Sequence, residues 1–315
     1  MPELPEVETV VRDLQKKVVG RKITDVWFDW PKLIKDPFDQ SRIKVAHKHV
    51  AGFKDFLRGE KIISVRRRAK NILIYLSHDK MLLVHQKMTG HFLIGKWEIT
   101  KNKVKPIEPR AVVEDSYNGF IHLIFYLDNG QMLALSDVRK FAKVLSGSRQ
   151  VIENLTELKN LGPDALDPKL SLAEFKNIIA KEGRTIKQAL MEPNLIAGIG
   201  NIYSDDILYT AKVHPRQAPG KLTDSELSGI YRAMRTVLTK AVRLRGTSTS
   251  DFRDTAGLEG GYTGHRLVYQ REGEPCQRCA TAIKRITVGG RSASFCPKCQ
   301  KEIRVYHGQS KKEKR

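Results

Sequence analysis

The chain has 315 residues, 40% of them apolar, and carries 56 Lys and Arg against 35 Asp and Glu, a formal net charge of +21. That length suits two domains with cores of their own and excludes global disorder, while so large a charge calls for a polyanionic partner, nucleic acid before anionic membrane. No run approaches the roughly 18 uninterrupted apolar residues of a spanning helix, and MPELPEVETV has three glutamates where a secretory signal needs basic residues and then an apolar stretch.

The first element expected is a helix over 5–18. Val7, Val10, Val11, Leu14 and Val18 fall on one face, Pro5 suits a first turn, Glu6 and Glu8 complement the dipole, and Gly20 closes it. From about residue 22 the pattern changes to strands: KIISV, NILIYL, MLLVHQ, HFLIGKW, and a hairpin FIHLIFYL-DNG-QMLALS turning at Asp128–Gly130. These imply a β-sandwich or barrel-like domain with one helix against it. Beyond about residue 150 helices take over. Ser171 with Glu174 and Thr223 with Glu226 are capping boxes, and the second opens a run with Leu227, Ile230, Met234, Val237 and Leu238 on one face, ending at Gly246. A tight connection, Pro193 to Gly200, precedes another helix from about Asn201. The Gly/Ser/Thr-rich stretch 246–265 is long enough to be functional or disordered.

Charge is concentrated in two places. Residues 41–70 hold ten Lys and Arg against two acids, and residues 261–315 hold thirteen against four, which suggests a surface that grips one polyanion from two sides. The final Lys311–Arg315 reads as a disordered, solubilising tail.

All four cysteines lie in Cys276-x2-Cys279-x16-Cys296-x2-Cys299. Two CxxC knuckles joined by a hairpin, turning at Gly289-Gly290, suit one structural tetrahedral zinc better than disulfides or redox dithiols, and an all-cysteine shell has no open position for catalysis. No organic cofactor is expected. The hairpin would present a basic surface of Arg278, Lys284, Arg285, Arg291 and Lys298.

Removal of Met1 would leave Pro2 with a free secondary amine. An α-amino group has a pKa of about 7.7–8, against about 10.4 for lysine, so a neutral fraction exists near neutrality that could attack a sugar's anomeric carbon and form an iminium electron sink. Glu3 would stand beside it as a proton donor. On residue chemistry alone, PELPE is more often simply a helix entry.

MPELPEVETV, RRRAK at 66–70, DVRKF at 137–141, NLIAGIGNIYSDD at 194–206 and the four-cysteine segment occur in an order that resembles the formamidopyrimidine-DNA glycosylases, over essentially the whole chain to about residue 305. The resemblance implies an α+β multidomain fold. Its parts would be an N-terminal β-sandwich catalytic domain with an N-terminal helix (1–150), a helical helix-two-turn-helix DNA-binding domain (151–265), a β-hairpin zinc finger (266–305) and a basic tail (306–315), with damaged double-stranded DNA held in a basic cleft. It also implies excision of oxidised purines followed by β,δ-elimination, in a monomeric, cytoplasmic enzyme of bacterial type associated with the nucleoid and not with membrane.

Carried over to this chain, Pro2 would be the Schiff-base nucleophile, Glu3 would protonate the opening deoxyribose, Glu6 would support it, Lys70 would lie near the lesion and its phosphates, and Arg291 would hold phosphate for δ-elimination. Met88, Arg139 and Phe141 would fill the gap left by an extruded base, although core packing equally suits Met88 and Phe141. Arg184, Lys187 and Asn201 would bind backbone phosphates, the last from a glycine-rich helix start, and Tyr262 lies in the loop that covers the base. Val138, Ala142 and Phe120 depart from the usual pattern, and 101–118 does not align. The rival readings are an endonuclease VIII-like enzyme for oxidised pyrimidines and a DNA-binding protein that has lost catalysis; intact Pro2, Glu3 and Lys70 argue against the second.

Overall fold

The structure, a computed structural model, describes residues 2–37, 46–101, 103–249 and 251–302. Residues 41–45 of the first basic run and the tail 306–315 therefore lie outside the described residues. The chain divides into two units that are not contiguous in sequence: 1–170 with 192–200 and 235–266, and 171–191 with 201–234 and 267–315. The expected block 151–265 is thus shared between them.

In the first unit, α1 (Leu4–Lys17) buries Val7, Val10, Val11 and Leu14 almost completely, as its spacing requires. Their partners are two five-stranded sheets. One has the order β1 (Ile23–Phe28), β8 (Ile121–Leu127), β9 (Met132–Ser136), β6 (His91–Thr100), β7 (Lys103–Glu108). The other runs β2 (Ile34–Lys35), β10 (Lys143–Ser148), β5 (Lys80–His85), β4 (Asn71–Leu76), β3 (Ile62–Arg68), with β2 and β10 parallel and every other pair antiparallel. Their facing side chains and those of α1 make one core that includes Ile72, Ile74, Leu82, Val84, Phe92, Leu123 and Phe125. The segment 101–118 supplies β7, hairpinned to β6, and the short α3 (Arg110–Glu114), and two more short helices, α4 (Arg149–Glu153) and α5 (Thr156–Lys159), follow β10.

Two expectations change here. Part of the first basic run is not strand but α2 (Ala46–Leu57), which buries Phe53 and Leu57 in the same core. Val50, Phe53 and Leu57 do fall on one helical face, a signal the lysines obscure. Of the two readings of 246–265, functional or disordered, the second does not hold over its described residues. Arg245 bonds Asp13 of α1 (2.5 Å) and Asp254 (2.9 Å), Thr255 donates to Asp13 (2.8 Å), and the Ile94 N–H donates to the Thr255 carbonyl (2.8 Å). A glycine-rich segment so densely bonded acts as a strap across α1 and β6.

The second unit holds α6 (Leu172–Ala180), α7 (Ile186–Met191), α8 (Asn201–Ala211), the first half of α9 (Asp224–Arg243) and the hairpin β11 (Lys284–Val288) with β12 (Arg291–Phe295). Thr223 and Glu226 bond reciprocally (3.2 and 2.7 Å) as a full capping box, and Ser171 Oγ accepts the Glu174 N–H (3.1 Å) as a simple N-cap. The hairpin turn places Gly289 and Gly290 at φ +55° and +72°, the paired left-handed positions of a two-residue turn that only glycine takes without strain.

Candidate active site and zinc centre

The start of α1 is buried instead of fraying into solvent. Pro2 is buried and Glu3 is 2% exposed. The Glu3 N–H donates to Glu6 Oε2 (2.8 Å), Leu4 N–H donates to the Gly198 carbonyl (3.0 Å), and Glu6 Oε1 accepts the Thr247 N–H (2.6 Å). Glu3 Oε2 accepts the Gly200 N–H at 2.7 Å. A Cβ on Gly200 would stand 2.4 Å from Glu3 Cδ, so glycine is needed here for close approach, not for torsional freedom. The glycine turn expected to cradle a phosphate thus holds a carboxylate of the protein itself.

Lys70 stands at the two-residue turn between β3 and β4, where Ala69 takes the left-handed φ of +54°. Asp164 secures that turn: it accepts the Ala69 N–H (3.2 Å) and grips the Arg67 guanidinium with both oxygens, while Glu8 takes Arg67 Nε (2.7 Å). Alongside, His85 pairs with Asn71 and Lys143 in the sheet. Burial first, then the charges of Lys87, Lys70 and Lys143, push its imidazole down to about 3. Its Nδ1 accepts the Lys87 N–H (2.9 Å), which leaves a neutral ring with Nε2 as the donor. Sequence reading missed His85 because a strand-end histidine carries no local mark of function.

We expect His85 to stay neutral from pH 4 to 8, with its ring proton resonances unmoved in NMR spectra over that range. Because an unfolded histidine binds a proton below about 6.5, this site lowers stability as pH falls from there toward 3. His85→Gln should therefore lose less melting temperature between pH 7 and pH 5 than the parent; an equal loss would refute the assignment.

Met88, Arg139 and Phe141 come together at the surface. Met88 is 42% and Phe141 51% exposed, which removes the core-packing alternative for both. Arg139 Nη1 lies 3.1 Å from Met88 Sδ, and its guanidinium stacks 4.6 Å from the Phe141 ring centre. Buried Asp137 organises the loop, accepting the N–H of Arg139 (3.2 Å) and Ala142 (2.7 Å) and the hydroxyl of Thr89. Ala142 fits where glycine is usual because Gly90 opposes it; Val138 and Phe120 are surface residues. Tyr262, by contrast, is 1% exposed, and its N–H donates to Gly246 O. It belongs to the strap, so its ring is not a free cover for a base.

In the second unit the four cysteine sulfurs lie within 4.8 Å of one another. Cys276–Cys299 is 3.9 Å, and Cys279 is 3.5 Å from both Cys296 and Cys299. Ligands about 2.3 Å from a tetrahedral zinc stand about 3.8 Å apart, so the four thiolates fit one structural zinc. Hydrogen bonds from Thr281 draw the Cys279 thiol down to about 6, whereas burial and the other thiols push Cys299 up to about 12, a conflict that a divalent cation removes. Arg278 is exposed as well, but its guanidinium is committed to the carbonyls of Tyr209 (2.6 Å) and Thr210 (3.1 Å) at the end of α8. Lys284, Arg285, Arg291 and Lys298 are exposed, and the Arg291 side chain, unlike its backbone in the ladder with Val288, has no ion-pair or hydrogen-bond partner among the described residues.

The proposed phosphate ligands differ in what their side chains meet. Asn201 begins α8 and donates to Ser292 Oγ (3.2 Å). Arg184 is exposed but paired with Glu182 through two nitrogens, at 2.7 and 2.9 Å. Lys187 is wholly buried, its ammonium 2.5 Å from Asp205. As placed, it cannot reach DNA.

Comparison with known proteins agrees with this architecture. Family models match in chain order: the formamidopyrimidine-DNA glycosylase N-terminal domain at 1–144, its H2TH domain at 161–253, and a zinc finger found in FPG and IleRS at 273–301. The formamidopyrimidine-DNA glycosylase of Pelotomaculum thermopropionicum is 36% identical over 301 residues, covering 96% of this chain and 99% of that one. Among solved structures, Lactococcus lactis Fpg in complex with abasic-site DNA has a TM-score of 0.79 at 30% identity, covering 95% of this chain and all of that one. MutM (Fpg) from Thermus thermophilus has 0.77 at 31%, covering 96% and 99%. With all three models in order and full-length relatives above 30% identity, the chain belongs to the formamidopyrimidine-DNA glycosylase family.

Proposed function

We propose that the protein removes oxidised purines, formamidopyrimidines and 8-oxoguanine, from duplex DNA and then cuts the strand at the resulting site. The observation that carries this reading is the Pro2-Glu3 pair: a secondary amine, once Met1 is removed, beside a buried carboxylate anchored by the Gly200 N–H. The Pro2 nitrogen bonds to C1′, the glycosidic bond breaks, and the ring opens as O4′ takes a proton from Glu3, leaving an iminium. Loss of the C2′ proton then breaks C3′–O3′; loss of the C4′ proton drives electrons through the conjugated iminium and breaks C5′–O5′. Lys70 with His85 holds phosphate near the lesion, Arg291 holds the phosphate that leaves, and Asn201 and Arg184 add backbone contacts. Met88, Arg139 and Phe141 occupy the space of the extruded base.

The protein acts as a monomer on nucleoid DNA in the cytoplasm; among the described residues no helix is long and apolar enough to cross a membrane. Borohydride reduction on an 8-oxoguanine duplex should leave a covalent protein–DNA adduct that Pro2→Gly abolishes. No adduct with any oxidised base would reduce the protein to a binding module, and an adduct with thymine glycol alone would move the substrate to oxidised pyrimidines.

A further inference from the structure

We propose that the buried Lys187–Asp205 ion pair is a positioning device for the zinc hairpin: it fixes the strand that carries Arg291, and with it the guanidinium that meets the phosphate released in δ-elimination. The inference rests on the role given to Arg291 above.

The donor and acceptor count supports it. Lys187 Nζ reaches Asp205 Oδ1 (2.5 Å), Ser204 Oγ (3.0 Å) and the Asn201 carbonyl (3.5 Å), so all three of its donors are engaged inside the protein. The other oxygen, Asp205 Oδ2, accepts the Ser294 N–H at 2.8 Å. Ser294 lies on β12, an edge of a two-stranded sheet whose outward N–H groups have no ladder partner. Two residues along, Ser292 Oγ accepts from Asn201. Alternate residues of β12 are therefore tied to the first turn and a half of α8, and a slip of one residue would turn both away. At the hairpin tip Gln188, adjacent to Lys187, packs so closely that a Cβ on Gly289 would stand 2.3 Å from its Nε2. Arg291 sits between that tip and Ser292.

A pair buried this deeply is poor value for stability, since apolar residues of similar size usually do as well. Its use lies in direction. An anionic acceptor makes a shorter, stronger bond to a backbone N–H than a neutral one. Burial pushes the Asp205 carboxyl up to about 7 even with Lys187 beside it, so without the ammonium it takes up a proton and its hold on Ser294 weakens.

The test uses the full-length, zinc-loaded protein carrying Asp205→Asn or Lys187→Met, on duplexes with a preformed abasic site. Single-turnover conversion of the β-product to the 3′-phosphate end should fall about tenfold to a hundredfold, the scale of a 1 Å misplacement. Borohydride trapping and one zinc per chain should be retained, and Asp205→Asn should add no further loss in an Arg291→Ala background. If either single variant loses zinc, the uncharged pair Lys187→Met with Asp205→Leu gives the same reading. Unchanged δ-elimination in Asp205→Asn, a parallel fall in trapping, or full additivity with Arg291→Ala overturns the positioning role. Should Arg291→Ala itself leave δ-elimination intact, the role of Arg291 fails, and the pair's effect through it fails too; loss in Arg291→Ala but not in Asp205→Asn sinks the pair alone.

Discussion

Glu3→Gln should slow single-turnover excision of 8-oxoguanine by about 100-fold to 10,000-fold, the range of a positioned general acid, while cleavage of a preformed abasic site continues. The amide keeps the shape of the carboxylate, and its oxygen can still accept the Gly200 N–H that now lies 2.7 Å from Oε2. What it lacks is a proton to give to O4′. Iminium formation at Pro2 on an abasic sugar, already in equilibrium with its open aldehyde, needs that proton far less. Gly200→Ala should copy the defect from the other side: its Cβ, 2.4 Å from Glu3 Cδ, drives the carboxylate out of place in a site too buried to yield. A quenched time course on 8-oxoguanine and abasic duplexes separates the two activities. Excision by Glu3→Gln within a few-fold of the parent would remove Glu3 from the chemistry.

Cys296→Ser should empty the zinc site and abolish tight binding to DNA. Cys296 is fully buried, and a serine hydroxyl is a poor substitute for thiolate. A structural zinc contributes about 10–16 kcal/mol of apparent binding energy in small finger peptides, comparable with the whole stability of a typical domain. Without it the two-stranded β11–β12 hairpin is at best marginal. The remaining clamps, Tyr209 to Cys276 (3.3 Å) and Gln300 to the Cys296 N–H (2.9 Å) and Val213 carbonyl (2.9 Å), depend on the knuckles they hold. Released metal read by a colorimetric chelator should fall from one per chain to near zero, and chelation of the parent should produce the same loss, reversed by added zinc. Retention of DNA affinity after complete zinc loss would mean that the hairpin does not carry Arg291 to phosphate.

The parts of this fold that were legible in the sequence are those whose cause is local. The face Val7–Val10–Val11–Leu14 repeats within one helix, and the caps at Ser171 and Thr223 close within four residues. The Gly289-Gly290 turn and CxxC pairs are stated by residue type and spacing alone. The site was less so. Pro2 and Glu3 stand out as chemistry, but nothing near them in the sequence announces Gly200, 197 residues away, as the group that holds the carboxylate. Asp164, which organises the Lys70 turn from 95 residues away, left no trace either.

The sequence by itself determined the order of the modules and the zinc ligands and marked Pro2 and Glu3 as the candidate reactive pair, because those depend on covalent neighbours, short periods and motif order. Only the tertiary structure decided which charged and aromatic residues face solvent. Lys187 and Tyr262 look as available as Arg291 and Phe141 when read along the chain, yet the first two are buried and the last two exposed. The reason is physical: burial depends on which distant segment supplies a partner, here Asp205 for Lys187 and the strap for Tyr262, and a buried polar group is tolerated only where that partner exists.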